Sequence, residues 1–219
     1  MSQNQKRRVI KNLKAKSINV QYGLKSLDPI TYTESPLEAD YIYHLEYDAN
    51  VFKYMAQPPS IPYFFKGVAH SYTPDFEVHY IDGSICYVEV KYIADTERIE
   101  DFEEWVSAIR KSPALKGHEF KVIKEDFIRE GFYYENLQTM YSASNINVDS
   151  DFLLHILEVF SEVNEISIFD LMKNKESDLE FEQIYRLIFD KVLLTDLKRQ
   201  FLSKQSIIQN SGEGYDKYL

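Results

Sequence analysis

The spacing of apolar positions changes period several times along the chain. From residue 71 to 92, SYTPDFEVHYIDGSICYVEVKY, apolar and polar residues alternate on both sides of Asp82-Gly83, which predicts a β-hairpin. Upstream, TESPLEADYIYHLEY has helical spacing, with Leu37, Tyr41, His44 and Leu45 on one stripe. Ser35 is placed to cap this helix, and Pro36 suits its first turn. The run VFKYMAQPPSIPYFF reads as strand, turn, strand, because Pro58, Pro59 and Pro62 break an extended apolar segment. Beyond the hairpin, DTERIEDFEEWVSAIRKS predicts one amphipathic helix with Ile99, Phe102, Val106 and Ile109 on its apolar side. HEFKVIKE then predicts a strand and EDFIREGF a short helix. Helix, strand, hairpin, helix, strand is the order of an α/β layer with a mixed central sheet flanked by helices.

A polar stretch, YSASNINVDS (141–150), marks a boundary. After it the pattern is all helical: DFLLHILEVFSEV, ISIFDLMKN and EFEQIYRLIFDKV, three short helices that resemble a helix-turn-helix or winged-helix unit. The expected organisation is an arm over 1–30, an α/β domain over 31–145 and a small helical, winged-helix-like domain over 146–205. A tail over 206–219 completes it; its end, NSGEGYDKYL, is expected to be disordered alone and to fold onto a partner.

Charge sharpens this division. Residues 1–30 hold seven Lys or Arg against one Asp, so the rest of the chain carries −16 of a formal total of −10. An acidic body is a poor free-standing nucleic-acid binder, whereas Lys6, Arg7, Arg8 and Lys11 could grip phosphates locally. A solvated tail is the competing reading of the arm. The helix opening with Asp178, Glu180 and Glu182 would repel phosphates, which favours a protein-binding use. One cysteine, Cys86, excludes a disulfide framework and a cysteine-based zinc site and suits a reducing cytoplasm. No apolar run reaches the roughly 18 residues of a membrane span, so a cytoplasmic location is expected. The five histidines show no metal-ligand spacing.

The hairpin carries the candidate chemistry. On its second arm Glu89 and Lys91 share one face. A two-residue Asp82-Gly83 loop would put Asp75 on the opposite face from Glu89. A three-residue loop, Ile81 to Gly83 with Gly83 left-handed, would put Asp75 directly across from Glu89. Like charges in that position repel, and a divalent cation removes the objection. Two hard oxygens with room for water and phosphate describe a magnesium site better than a calcium cage. Lys91 could then position an attacking water or offset developing charge, and Glu38 could add a carboxylate directly or through water. The alternative has Asp75 as a turn residue, Glu89 and Lys91 on a solvated face, and Glu38 completing a capping box with Ser35.

TPD, a short gap and VEVK match the Pro-Asp…(Asp/Glu)-x-Lys signature of restriction-endonuclease-like nucleases. With ESPLEADYIYHLEYDANV, AQPPSIPY, YTPDFEVHY, YVEVKY and EFKVIKEDFIREGF in order, residues 30 to 132 resemble the TnsA endonuclease subunit of heteromeric cut-and-paste transposases. The resemblance implies a restriction-endonuclease-like core, catalytic positions at Glu38, Asp75, Glu89 and Lys91, and Mg2+ as cofactor with Mn2+ able to substitute. Gln57 and Ser35 fall on recurring positions with supporting roles. Some relatives carry glutamine where this chain has Glu89. The resemblance further implies that this subunit hydrolyses the strand at the 5′ ends of a transposon. An integrase-type transposase subunit would act on the 3′ ends, and an AAA-type ATPase regulator would contact the C-terminal part. The rivals are a self-sufficient restriction- or repair-type nuclease and an inactive DNA-end scaffold.

Overall fold

A computed structural model describes residues 19–172 and 178–218, with the side chain of Asp178 left out. The basic cluster Lys6, Arg7, Arg8 and Lys11 lies outside the described residues. The chain forms two compact units, which meet in sequence between Ile128 and Arg129.

In the first unit, short strands β1 (Asn19–Gln21) and β2 (Thr31–Thr33) pair antiparallel and lead into α1 (Pro36–Tyr47). Ser35 caps α1 by accepting from the Glu38 N–H at 3.1 Å, with Pro36 in the first turn, as the spacing predicts. The central sheet is built from β3 (Val51–Ala56), β6 (Phe76–Tyr80), β7 (Ile85–Lys91) and β8 (Glu119–Lys124), in that spatial order. Its first two pairings are antiparallel and β7–β8 is parallel, so the sheet is mixed. Alternate residues of β7 face opposite cores. Cys86, Val88 and Val90 pack with Leu37, Tyr41, Ile42 and Leu45 of α1 and with Tyr54 and Phe76. Tyr87, with Phe120 and Val122 of β8, joins Ile61, Tyr63, Phe102, Val106 and Ile109 in a second cluster. Burying each such side chain contributes roughly 1.5–3 kcal/mol, so the strand that carries Glu89 and Lys91 is held from both sides.

Two local expectations change. The strands on either side of Pro58-Pro59 form as expected, but the second, β4 (Ile61–Phe65), makes a hairpin of its own with a strand the sequence did not signal, β5 (Val68–Tyr72). Its Lys66-Gly67 turn has φ of 49° and 78°, the left-handed pair of a two-residue loop. The helix predicted from residue 95 onward is broken into α2 (Ile93–Arg98) and α3 (Phe102–Arg110). Asp101 between them has φ 58°, a conformation that aspartate tolerates better than most residues. Ile99 therefore leaves the apolar stripe and is exposed, while Phe102, Val106 and Ile109 stay buried. The first unit closes with α4 (Glu125–Ile128), where the Ile128 carbonyl meets Nε2 of buried His44 at 2.8 Å.

The second unit contains α5 (Tyr133–Ser142), α6 (Ser150–Glu162), β9 (Glu165–Ser167), α7 (Ile168–Leu171), α8 (Asp178–Phe189), β10 (Leu193–Leu194) and β11 (Ile207–Asn210). Helix α5 falls in this unit, which thus begins upstream of the polar boundary read from sequence. The region is not all helical. Its strands form an antiparallel sheet of order β10-β11-β9, each strand too short to show alternation in the sequence. Residues 207–210, the start of the tail expected to be partner-binding or disordered, supply the middle strand. Beyond them the Tyr218 hydroxyl and Arg186 Nε both donate to Oδ2 of Asp190, the Arg186 contact at 2.7 Å. The tail is thus ordered through Tyr218, because β11 completes the sheet and the charge pair holds its end.

Candidate active site

The β6–β7 turn decides whether the carboxylates meet. Tyr80 N–H donates to the Ser84 carbonyl at 2.9 Å and Gly83 N–H to the Tyr80 carbonyl at 3.0 Å. Gly83 has φ 85°, and Asp82 Oδ1 accepts from Ser84 N–H at 2.8 Å. The loop is therefore Ile81-Asp82-Gly83, with Phe76 opposite Val88 and Glu77 opposite Tyr87. Carried one residue further, this register sets Asp75 across from Glu89. Of the two registers open in the sequence, the structure adopts the one that brings the carboxylates to one face.

Backbone contacts fix the rest. Asp75 Oδ2 accepts from Val90 N–H at 2.8 Å, and its carbonyl accepts from Gln57 N–H at 2.8 Å. Gln57 sits at φ 48°, a strained value for a side-chain-bearing residue and one that clusters at functional sites. Glu89 is 2% exposed, and its Oε1 forms an ion pair with Lys91. Glu38 Oε2 accepts from Glu34 N–H at 2.8 Å, one residue before the cap. The capping contact and the site are thus compatible, since the same carboxylate lies within electrostatic reach of Glu89 and Asp75. Ser35 caps the helix and also acts on the Glu38 carboxyl.

The electrostatics follow from this crowding. Burial, then Glu89 and Glu38, push the Asp75 carboxyl well above its usual pKa, against the opposing pull of Lys91 and the Val90 N–H. Burial also raises Glu38, with Glu89 adding to it and the Glu34 and Ser35 hydrogen bonds opposing it. Burial works against the Lys91 charge, but Glu89, Asp75 and Glu38 outweigh it and hold the ammonium protonated. Tyr72, which sequence reading passed over among 17 tyrosines, lies within electrostatic reach of these groups and packs on the sheet face that carries Tyr87 and Glu89. Burial, then Glu89 and Asp75, drive its pKa far up, so it remains a donor.

Among the described residues no three His, Cys, Asp or Glu side chains converge as a ready ligand set. Each carboxylate instead leans on a local donor: Asp75 on Val90, Glu89 on Lys91 and Glu38 on Glu34. The donors still fit a hard divalent cation. Glu89 Oε2 and Gln57 Oε1 are both buried without a hydrogen-bond partner. An orphaned buried carboxylate oxygen costs several kcal/mol unless something occupies it.

Residues 48–125 match a family model described as the TnsA-like endonuclease N terminal. The match spans Gln57, Asp75, Glu89 and Lys91, and leaves Ser35 and Glu38 just upstream. No curated protein matches the chain. No helix among the described residues is long and apolar enough to cross a membrane.

Proposed function

We propose, from the premise that residues 48–125 are a TnsA-like endonuclease domain, that this protein is a Mg2+-dependent DNA endonuclease subunit of a heteromeric transposase. It hydrolyses the strand at the 5′ ends of the transposon. The observation that carries the reading is Asp75 opposite Glu89 beside the unpartnered Oε2 of Glu89. Asp75 and Glu89 would hold the cation, with Glu38 adding a carboxylate directly or through water; Gln57, whose N–H binds the Asp75 carbonyl, has a buried Oε1 without a partner and would support the site. Bound Mg2+, or Mn2+ in its place, supplies charge neutralisation at the scissile phosphate. Lys91, kept cationic by three carboxylates, orients the attacking water or offsets negative charge as the phosphodiester breaks.

The second unit is read as winged-helix-like. Its support is the order α6, β9, α7, α8, β10, β11 with the last strand central in the sheet. The acidic opening of α8 fits a basic protein surface better than a DNA groove, and the AAA-type regulator is the partner proposed for it. The basic arm, outside the described residues, is proposed to contact transposon-end DNA. Neutralising Lys6, Arg7, Arg8 and Lys11 together should flatten the salt dependence of DNA binding by up to about four phosphate contacts in an assembled complex. An unchanged slope would return the arm to a solvated tail.

Metal binding must displace protons from the raised carboxyls. A carboxyl with a raised folded pKa favours the folded state while protonated, and that stability is lost as pH rises from the unfolded value through the folded one. Metal-free protein therefore carries its repulsion above that window, and a cation relieves it. At about 100-fold excess over Kd, Mn2+ should add about 2.7 kcal/mol of stability at pH 7. The gain should shrink at pH 5; an equal melting shift at both pH values would contradict the assignment.

The test of the subunit role is cleavage of an end-bearing plasmid by the purified chain, with and without an integrase-type partner and ATPase. Cutting should depend on the partners, because the acidic body does not hold DNA unaided. Efficient sequence-specific double-strand cutting by the isolated chain would instead identify a self-sufficient nuclease.

A further inference from the structure

The last residue of β5 is Tyr72, three positions before Asp75, and it does not belong to the Pro-Asp…Glu-x-Lys pattern. Its ring is fixed on two sides. It stands edge-on to Trp105 at 5.0 Å and to Phe120 at 6.2 Å, and its backbone pairs with Ile61. The ring packs with Tyr87 and Phe120 on one face of the sheet, the face on which Glu89 is the next residue along β7, and the Glu89 and Asp75 charges act on its hydroxyl. Lys91 occupies one oxygen of Glu89, and no described donor satisfies the other.

We propose that Tyr72 is a positioning residue, whose hydroxyl donates to Glu89 Oε2 when a divalent cation occupies the site and so fixes the plane of that carboxylate. The inference rests on the metal-dependent nuclease reading. A carboxylate oxygen has two lone pairs, so Oε2 can accept from Tyr72 and still serve as a ligand. Glu89 sits on a strand packed on both faces, yet nothing on its own strand orients the carboxylate except the flexible Lys91 side chain. A ring clamped by Trp105 and Phe120 supplies the rigid donor that Lys91 does not. Partners of this kind behind a metal ligand typically change affinity or activity by about 10–100-fold when removed.

Tyr72→Phe removes the hydroxyl and keeps the ring, so packing is retained. The measurement is calorimetric titration of the full chain with Mn2+ alone, wild type beside Tyr72→Phe. Emission from Trp105, the chain's sole tryptophan, reports that the ring contact survives. The expected result is binding by both proteins, about tenfold or more weaker in the variant, with unchanged emission and melting temperature in the absence of metal. Wild-type binding with an equal affinity for Tyr72→Phe would leave the nuclease reading standing and reduce Tyr72 to packing. Absence of Mn2+ binding by the wild type would overturn both.

Discussion

Asp75→Asn is expected to abolish strand cleavage while making the metal-free protein more stable. On the proposed mechanism the loss follows because the site would lose a charged oxygen ligand that the uncharged amide does not replace. Removal of one preorganised electrostatic group costs about 10²–10³-fold in rate, and losing a cation ligand should cost at least that. The stability gain has a separate cause. Asp75 is crowded by burial and by Glu89 and Glu38, so ionising it disfavours the folded state. The amide removes that repulsion, and its oxygen can still accept from the Val90 N–H, which lies 2.8 Å from Asp75 Oδ2. A gain of roughly 1 kcal/mol corresponds to a melting shift of about 2–4 °C for a chain of this size. Opposed changes in activity and stability are the mark of a functional carboxylate. An Asp75→Asn protein that melts lower and still cuts would show a structural aspartate.

The hairpin could be read from sequence because its alternation is regular and its turn contains Asp82-Gly83. What the residues alone left undecided was a one-residue choice of register, and that choice decides whether there is a site. The Tyr80 to Ser84 hydrogen bond and left-handed Gly83 settle it. Helix α1 was legible for similar reasons, since Ser35 and Pro36 are local signals. The strand β4 was legible, but its pairing with β5 was not, because Val68–Tyr72 is almost wholly exposed and shows no buried alternation. Tyr72 went unseen with it: its place beside Glu89 depends on that hairpin and on Trp105, 33 residues away in sequence. The short strands of the second unit carry no periodic signal, and Ile99 misled because Asp101 ends the helical path there.

Asn136→Ala should be the most damaging single change in the second unit. Asn136 is 1% exposed on α5 and satisfies three backbone groups of the segment before β11. Its Nδ2 donates to the carbonyls of Leu197 and Gln200, each at 2.8 Å, and its Oδ1 accepts from Leu202 N–H at 2.8 Å. Alanine would strand all three backbone groups and leave a gap. Each unsatisfied buried group costs about 1–3 kcal/mol, with water recovering part where the segment is exposed, so a loss on the order of 3 kcal/mol is expected. The segment is held tightly elsewhere too: a Cβ on Gly131 would lie 2.2 Å from the Lys198 carbonyl oxygen. Chemical denaturation with hydrogen exchange at Leu202 checks the prediction. A loss under about 0.5 kcal/mol, with Leu202 still protected, would contradict it.

The central claim is that the Asp75, Glu89 and Lys91 site makes the cut at the transposon's 5′ ends. The most direct test is strand-resolved mapping of the breaks in an assembled, Mg2+-containing reaction, with wild-type chain or with Glu89→Gln. Glutamine keeps an oxygen that can still bind a cation, so Lys91→Ala is run in parallel. The account predicts 5′-strand breaks with the wild type, their loss with Lys91→Ala, and unaffected 3′-strand breaks in every reaction. Full 5′-strand cleavage with both variants, or loss of the 3′-strand breaks instead, would contradict it.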